Sequence, residues 1–91
     1  MAEKIRCAHI LVEKFSDAQE TLQALKNGAD FVKTAEARSI DGSRRRGGDL
    51  GWFGHGVMVK PFEQAAFALQ KGQLSEIVKT QFGYHIIKRL D

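Results

Sequence analysis

The stretch KIRCAHILV at residues 4–12 reads as a strand that is substantially apolar on both faces. Successive side chains of a strand point to opposite sides, so Ile5, Cys7, His9 and Leu11 share one face and Arg6, Ala8, Ile10 and Val12 the other. A strand with one wet side alternates apolar with polar; one that is apolar on both sides has to be covered on both. The chain therefore needs a sheet with this strand in its interior and packing layers above and below. His9 points from that strand into one of the layers.

The rest of the chain supplies the layers. SDAQETLQALKNG, residues 16–28, puts Ala18, Leu22 and Leu25 on one helical face, with Ser16 and Gln19 at capping-box spacing and Gly28 suited to a left-handed stop. Asp30 can cap a second helix, in which Phe31, Thr34, Ala35 and Arg38 share a stripe. The irregular stretch SIDGSRRRGGDLG then leads into a short strand, LGWF. KPFEQAAFALQKG, residues 60–72, forms a third helix, with Pro61 in its first turn and Glu63 near the positive end of its dipole. Phe62, Ala65, Ala66 and Leu69 face inward and Gly72 ends the helix. SEIVKT and YHIIKRL, joined through QFG, are close enough to pair as a hairpin with Gly83 in its turn. The order βααβαββ specifies an α+β domain with a small sheet and helices against it.

With 91 residues, 43% of them hydrophobic and 27% charged, residues 1–91 fit one globular domain, and a site on so small a core should be a shallow groove. The single Cys7 cannot form an intramolecular disulfide, and MAEKIRCAHI holds no apolar run of signal-peptide or membrane-spanning length, so a cytoplasmic location is expected. A formal charge of +3 makes the surface mildly basic, which weakly favours acidic partners.

His9 and His85 lie at opposite ends of the chain, and a sheet with adjacent terminal strands would bring them together. A lone strand histidine is more often a satisfied core residue than a ligand or catalyst. Cys7, His9, Asp41 and His85 are permissible metal ligands, but a C-x-H pair without C-x-x-C or H-x-x-x-H lacks the usual zinc spacing, and no metal is expected. Cys7 on an alternating strand should be an inert core thiol. Arg44, Arg45 and Arg46 form the densest charge and could engage phosphate, acidic side chains or nucleic acid. Against nucleic acid stands the lack of interleaved aromatic residues and of a recognition helix. Leu50, Met58, Phe62 and Phe82 sit near glycine-rich turns or a helix start, where they either pack the core or line a small apolar dish fit for a ring-shaped side chain. His55, in GHG, is expected in solvent.

The segments AHILV, GGDLGWF, MVKPFEQAAFAL and TQFGYHIIK, in this order and at this spacing, resemble the parvulin peptidyl-prolyl cis-trans isomerases along essentially the whole chain. The resemblance implies an FKBP-like fold, a four-stranded antiparallel sheet surrounded by about four helices, with the first and last strands side by side in the centre. The fourth helix would be a short turn within SRRRG. It further implies a proline-ring pocket of Leu50, Met58 and Phe62, with Phe82 at the rim, beside a polar network of His9, Asp41 and His85. Asp41 falls where the family has cysteine or aspartate, and the aspartate removes the thiol that a covalent mechanism would need. The implied activity is non-covalent, cofactor-free isomerisation of Xaa-Pro bonds in polypeptides by a monomer that assists protein folding. Phosphate-selective members carry a basic cluster in an extended loop after the first strand. Here the short VEKFSDA with Glu13 stands there, so phosphate selectivity is not expected, and Arg44, Arg45 and Arg46 become candidate contacts for an acidic residue before proline. The alternatives are a non-catalytic, chaperone-like module that holds Pro-containing segments, and a basic surface that binds nucleic acid or an anionic membrane.

Overall fold

A computed structural model describes residues 3–91. In chain order the elements are β1 (Lys4–Val12), α1 (Phe15–Lys26), α2 (Phe31–Arg38), a 3₁₀ helix (Gly42–Arg46), β2 (Asp49–Gly54), α3 (Lys60–Ala68), β3 (Val78–Thr80) and β4 (Gly83–Arg89). All strand pairs are antiparallel and the strand order is β2-β1-β4-β3, so the two-faced first strand is interior, with the last strand beside it.

The alternation along β1 divides the interior in two. Ala8, Ile10 and Val12 pack with Ile86 against Ala18, Leu22 and Leu25 of α1 and Phe31 and Ala35 of α2. Ile5 and Cys7 pack with Phe53 and Ile87 against Phe62, Ala66 and Leu69 on the other side. Each fully buried isoleucine here contributes on the order of 1.5–3 kcal/mol, so the central strand pair anchors both layers. The short turn expected within SRRRG is the 3₁₀ helix, capped by the Asp41 side chain, which accepts from the Ser43 amide.

Local signals set some helix ends, and longer-range contacts set others. Asp30 caps α2 by accepting from the Lys33 amide, and Gly28 has a φ of 101° after α1, both as expected. The Ser16–Gln19 capping box does not form: α1 already begins at Phe15, and Lys14 precedes it without a side-chain cap. Phe15 is drawn into the helix by an edge contact with Tyr84 of β4, a long-range interaction that outweighs a local cap. α3 stops at Ala68 rather than running to Gly72, because Leu69 turns extended to bury its side chain while its carbonyl accepts from Arg89. β3 is only Val78–Thr80; Ser75 leaves the ladder and instead ties its amide to the Ile87 carbonyl and its hydroxyl to the Ile87 amide.

Two features of this scaffold aim the site. Opposite β1 the pairing slips between Arg6 and Ala8, so that Leu50 and Gly51 together face Cys7. Such a bulge re-aims a side chain, and here Gly51, at φ 74°, lets Leu50 turn toward the α3 side. At the other end of β1, Ile40 donates to the Leu11 carbonyl and Ser39 Oγ accepts from both the Leu11 and Asp41 amides. This knot holds the start of the 3₁₀ helix, and with it Asp41, against the strand that carries His9.

Candidate active site

His9, Leu11 and His85 project from the centre of the sheet on the face covered by α3. Together with Asp41, Leu50, Val57, Met58, Val59, Phe62 and Phe82 they line a cavity of about 340 Å³. Every residue expected for the ring pocket and its polar network therefore meets in one place. Its floor is aromatic: the edge of Phe62 meets both imidazoles, at 5.6 Å from His9 and 5.2 Å from His85, and the two imidazoles stack on one another at 5.2 Å. Phe62 is 2% exposed and Phe82 57%, so one closes the bottom of the dish and the other stands at its mouth.

The polar side of the cavity is a chain of four groups. Thr80 Oγ1 accepts from the Phe82 amide at 3.2 Å, and it lies 2.6 Å from His85 Nε2. His85 Nδ1 lies 3.0 Å from His9 Nδ1, and His9 Nε2 lies 3.2 Å from Asp41 Oδ2. Each neutral imidazole has one N–H and one bare nitrogen. The Thr80 hydroxyl donates to His85 Nε2, which leaves the His85 proton on Nδ1, where it donates to His9 Nδ1. His9 then carries its proton on Nε2, toward the carboxylate. The reverse assignment would aim a bare nitrogen at an ionised carboxylate. The last contact is within ion-pair distance but is not aligned as a hydrogen bond.

The surroundings of these groups set their charge. Burial pushes the Asp41 carboxyl up, but the Ser43 side chain and amide and the adjacent His9 outweigh it and hold the pKa at about 2. Of the two Ser43 groups the amide makes the aligned bond, at 2.9 Å, while the hydroxyl is buried without one. Burial drives His85 down to about 4, helped by the neighbouring His9 and opposed by Asp41. Burial also lowers His9, against the pull of Asp41. At neutral pH the site thus holds one anion and two neutral imidazoles, a polar but nearly proton-inert wall beside an apolar dish.

The remaining candidates separate from this cluster. Cys7 is fully buried on the same strand and burial pushes its thiol up to about 11, so it is not a nucleophile at neutral pH. Among the described residues no group of three or more His, Cys, Asp or Glu side chains is arranged to hold a metal ion. Arg44, Arg45 and Arg46 are exposed on the 3₁₀ helix that follows Asp41, and they do not line the cavity. His55 is largely exposed, as expected, but it is not idle: its Nδ1 lies 3.1 Å from Glu63 Oε2 and its ring stacks on Phe67.

The amino-acid chain matches the PPIC-type PPIase domain over residues 2–91. It belongs to that family. The foldase protein PrsA of Geobacillus sp. (strain WCH70) is 55% identical over 89 residues, covering 97% of this chain and 32% of the relative. Among solved structures, the parvulin of Nitrosopumilus maritimus superposes with a TM-score of 0.88 at 53% identity, covering 100% of this chain and 99% of that one. PrsA from Bacillus subtilis superposes with a TM-score of 0.95 at 48% identity, covering 98% and 35%. The chain spans about a third of the length of the curated relatives it matches. The parvulin neighbours bear out the four-stranded antiparallel sheet and its helices.

Sequence reasoning missed Thr80, Leu11, Val57 and Val59 as parts of the site. Thr80 pairs with Gly83 across the hairpin turn, which brings its hydroxyl to His85 Nε2. The signal was present in TQFGYH, but only the pairing register turns that spacing into a contact. Val57 and Val59 flank Met58 and line the same wall.

Proposed function

We propose that this chain accelerates cis–trans rotation about Xaa-Pro bonds in polypeptides, without a covalent intermediate, a cofactor or a requirement for phosphate, and thereby assists protein folding. The observation that carries this reading is the apolar dish of Leu50, Met58, Phe62 and Phe82 set against two neutral imidazoles. Rotation about a peptide bond costs about 18–20 kcal/mol because resonance flattens the amide, while the two Xaa-Pro isomers differ by about 0.5–1 kcal/mol. The site therefore has to lower a barrier and not to drive an equilibrium. A dish that clasps the prolyl ring and takes the amide out of water favours the twisted state, in which resonance is lost, over both planar ones.

Bond rotation moves no obligatory proton. The Thr80–His85–His9–Asp41 chain accordingly fixes the orientation and field of the wall that faces the amide, and the depressed pKa values of the histidines keep that wall neutral. Asp41, His9 and His85 act by shaping the site, and Phe62, Met58 and Leu50 by holding the ring. The test is catalysed refolding of a protein whose slow phase is set by a prolyl isomerisation. A slow phase that shortens in proportion to added enzyme supports the reading; one that does not change refutes it.

Two features support the absence of phosphate selectivity and a different preference. Only Glu13 and Lys14 connect β1 to α1, which leaves no extended loop for a phosphate-binding cluster. Arg44, Arg45 and Arg46 stand exposed just beyond Asp41 and favour an acidic residue before proline. A peptide series that varies only this residue tests the preference: equal rates for Glu and Lys refute it. The reading includes a monomer in the cytoplasm, in keeping with a lone buried thiol, and cell fractionation with sedimentation tests that part.

A further inference from the structure

We propose that Glu63 is a positioning residue that sets the ring-holding wall by tethering the segment between β2 and α3. The inference rests on the isomerase reading and deepens it. This segment carries Val57, Met58 and Val59, all of which line the cavity. Residues 55–57 form a turn outside the regular elements, and Val57 is 67% exposed. An exposed turn with few ties to the regular elements is free to move, yet here the wall of a binding site is built on one.

Its attachments converge on two side chains of α3. Glu63 Oε1 accepts from the Gly56 amide at 2.6 Å, and Glu63 Oε2 lies 3.1 Å from His55 Nδ1. The Glu63 amide in turn donates to the Val59 carbonyl at 3.0 Å. That bond belongs to the first turn of α3 and fixes the Val59 end whatever side chain stands at 63, so the carboxylate is what ties down the other side of Met58. One turn further along α3, Phe67 stacks under the His55 ring, with centroids 4.0 Å apart and planes at 24°. Gly56, at φ 85°, takes the backbone angle that aims its amide at the carboxylate. The pair holds the carboxyl of Glu63 below its ordinary range, the Gly56 amide contributing first and His55 next. Glu63 does not line the cavity. Its effect on substrate runs through the position of Met58 and its neighbours.

A wall that meets the prolyl ring in both planar and twisted states governs how tightly peptide binds more than how fast the bound bond turns. The test titrates an Ala-Glu-Pro-Phe peptide against wild type, Glu63→Ala and Glu63→Gln. Read-outs are the peptide Kd, the exchange rate at saturation, and hydrogen exchange at the Gly56 amide. Glu63→Ala is expected to lose protection at Gly56 and to raise Kd about three- to tenfold, with the saturated rate held within about twofold. Glu63→Gln, which keeps an oxygen for Gly56, recovers both. A wild-type Kd in Glu63→Ala despite lost protection overturns the inference, as does Glu63→Gln restoring protection but not Kd. Should Glu63→Ala not fold, Glu63→Asp carries the test, its shorter carboxylate drawing back from the Gly56 amide: lost protection with a raised Kd is expected, and lost protection with a wild-type Kd overturns the proposal. A wild type that accelerates nothing overturns the isomerase reading, and this inference with it.

Discussion

Acidification should destabilise the protein well before its carboxylates titrate, because the buried histidine pair resists protonation. His85 has an ordinary pKa of 6.5 and a folded one of about 4. Between these values the unfolded chain binds a proton that the folded one does not, so stability falls as pH falls. The contribution of a neutral His85 is fully present above about pH 6.5 and is lost progressively down to pH 4. Between pH 7.5 and pH 5 the loss from this residue is on the order of 2 kcal/mol, from 1.36 kcal/mol per pKa unit. His9, shifted the same way by burial, adds to it. Asp41, held at about 2, acts lower still: its stabilisation is present above its ordinary 3.8 and is lost as pH falls toward 2. Urea unfolding at pH 7.5, 6, 5 and 4.5 measures the slope, and a loss of this size moves the midpoint by about 1 M or more for a small domain. His85→Gln should flatten the slope between pH 6.5 and 4. Equal midpoints at pH 7.5 and 5, or a His85→Gln slope as steep as wild type, would refute the reasoning.

Other perturbations probe the scaffold and the polar chain separately. A Cβ at Gly48 would overlap the His9 carbonyl oxygen, at a φ of 84° that disfavours side chains; Gly48→Ala is expected to cost about 3 kcal/mol or more and to be read as a large drop in Tm. The same change at Gly28, where a Cβ meets nothing within 4 Å, should cost only the backbone strain, about 1–2 kcal/mol. Thr80→Val removes the donor to His85 Nε2 while keeping the side-chain volume, so nitrogen NMR should report a changed tautomer population at His85 and the isomerase rate should fall severalfold. An unchanged tautomer in that variant would mean that Thr80 does not fix the chain.

The fold was legible where the pattern was long and two-sided. β1 announced an interior strand because neither face was polar, and its burial on both sides follows directly. Pattern alone left Leu50, Met58, Phe62 and Phe82 between core and dish; the resemblance to the parvulins grouped them, and the fold brings them together around one cavity. What escaped was decided by contacts between distant parts of the chain. Phe15 joins α1 through Tyr84, Ser75 leaves β3 for Ile87, and Leu50 reaches the site only because β2 bulges at Gly51. Glu63 is a favourable charge at a helix start, as its position indicates, but its grip on Gly56 depends on how the preceding segment folds back over the helix. Thr80 needed the register of the hairpin. Local propensity marks the elements, and it is silent on which loop a side chain will hold.

The most direct test is proton NMR exchange spectroscopy on an Ala-Glu-Pro-Phe peptide with catalytic amounts of wild type, Met58→Ala and Phe62→Leu, each variant first checked for its fold. Exchange cross-peaks between the cis and trans forms with wild type, strongly reduced with both folded variants, are the expected result. Peptide that binds without accelerated exchange, or exchange that persists unchanged in both variants, would contradict catalysis by this pocket.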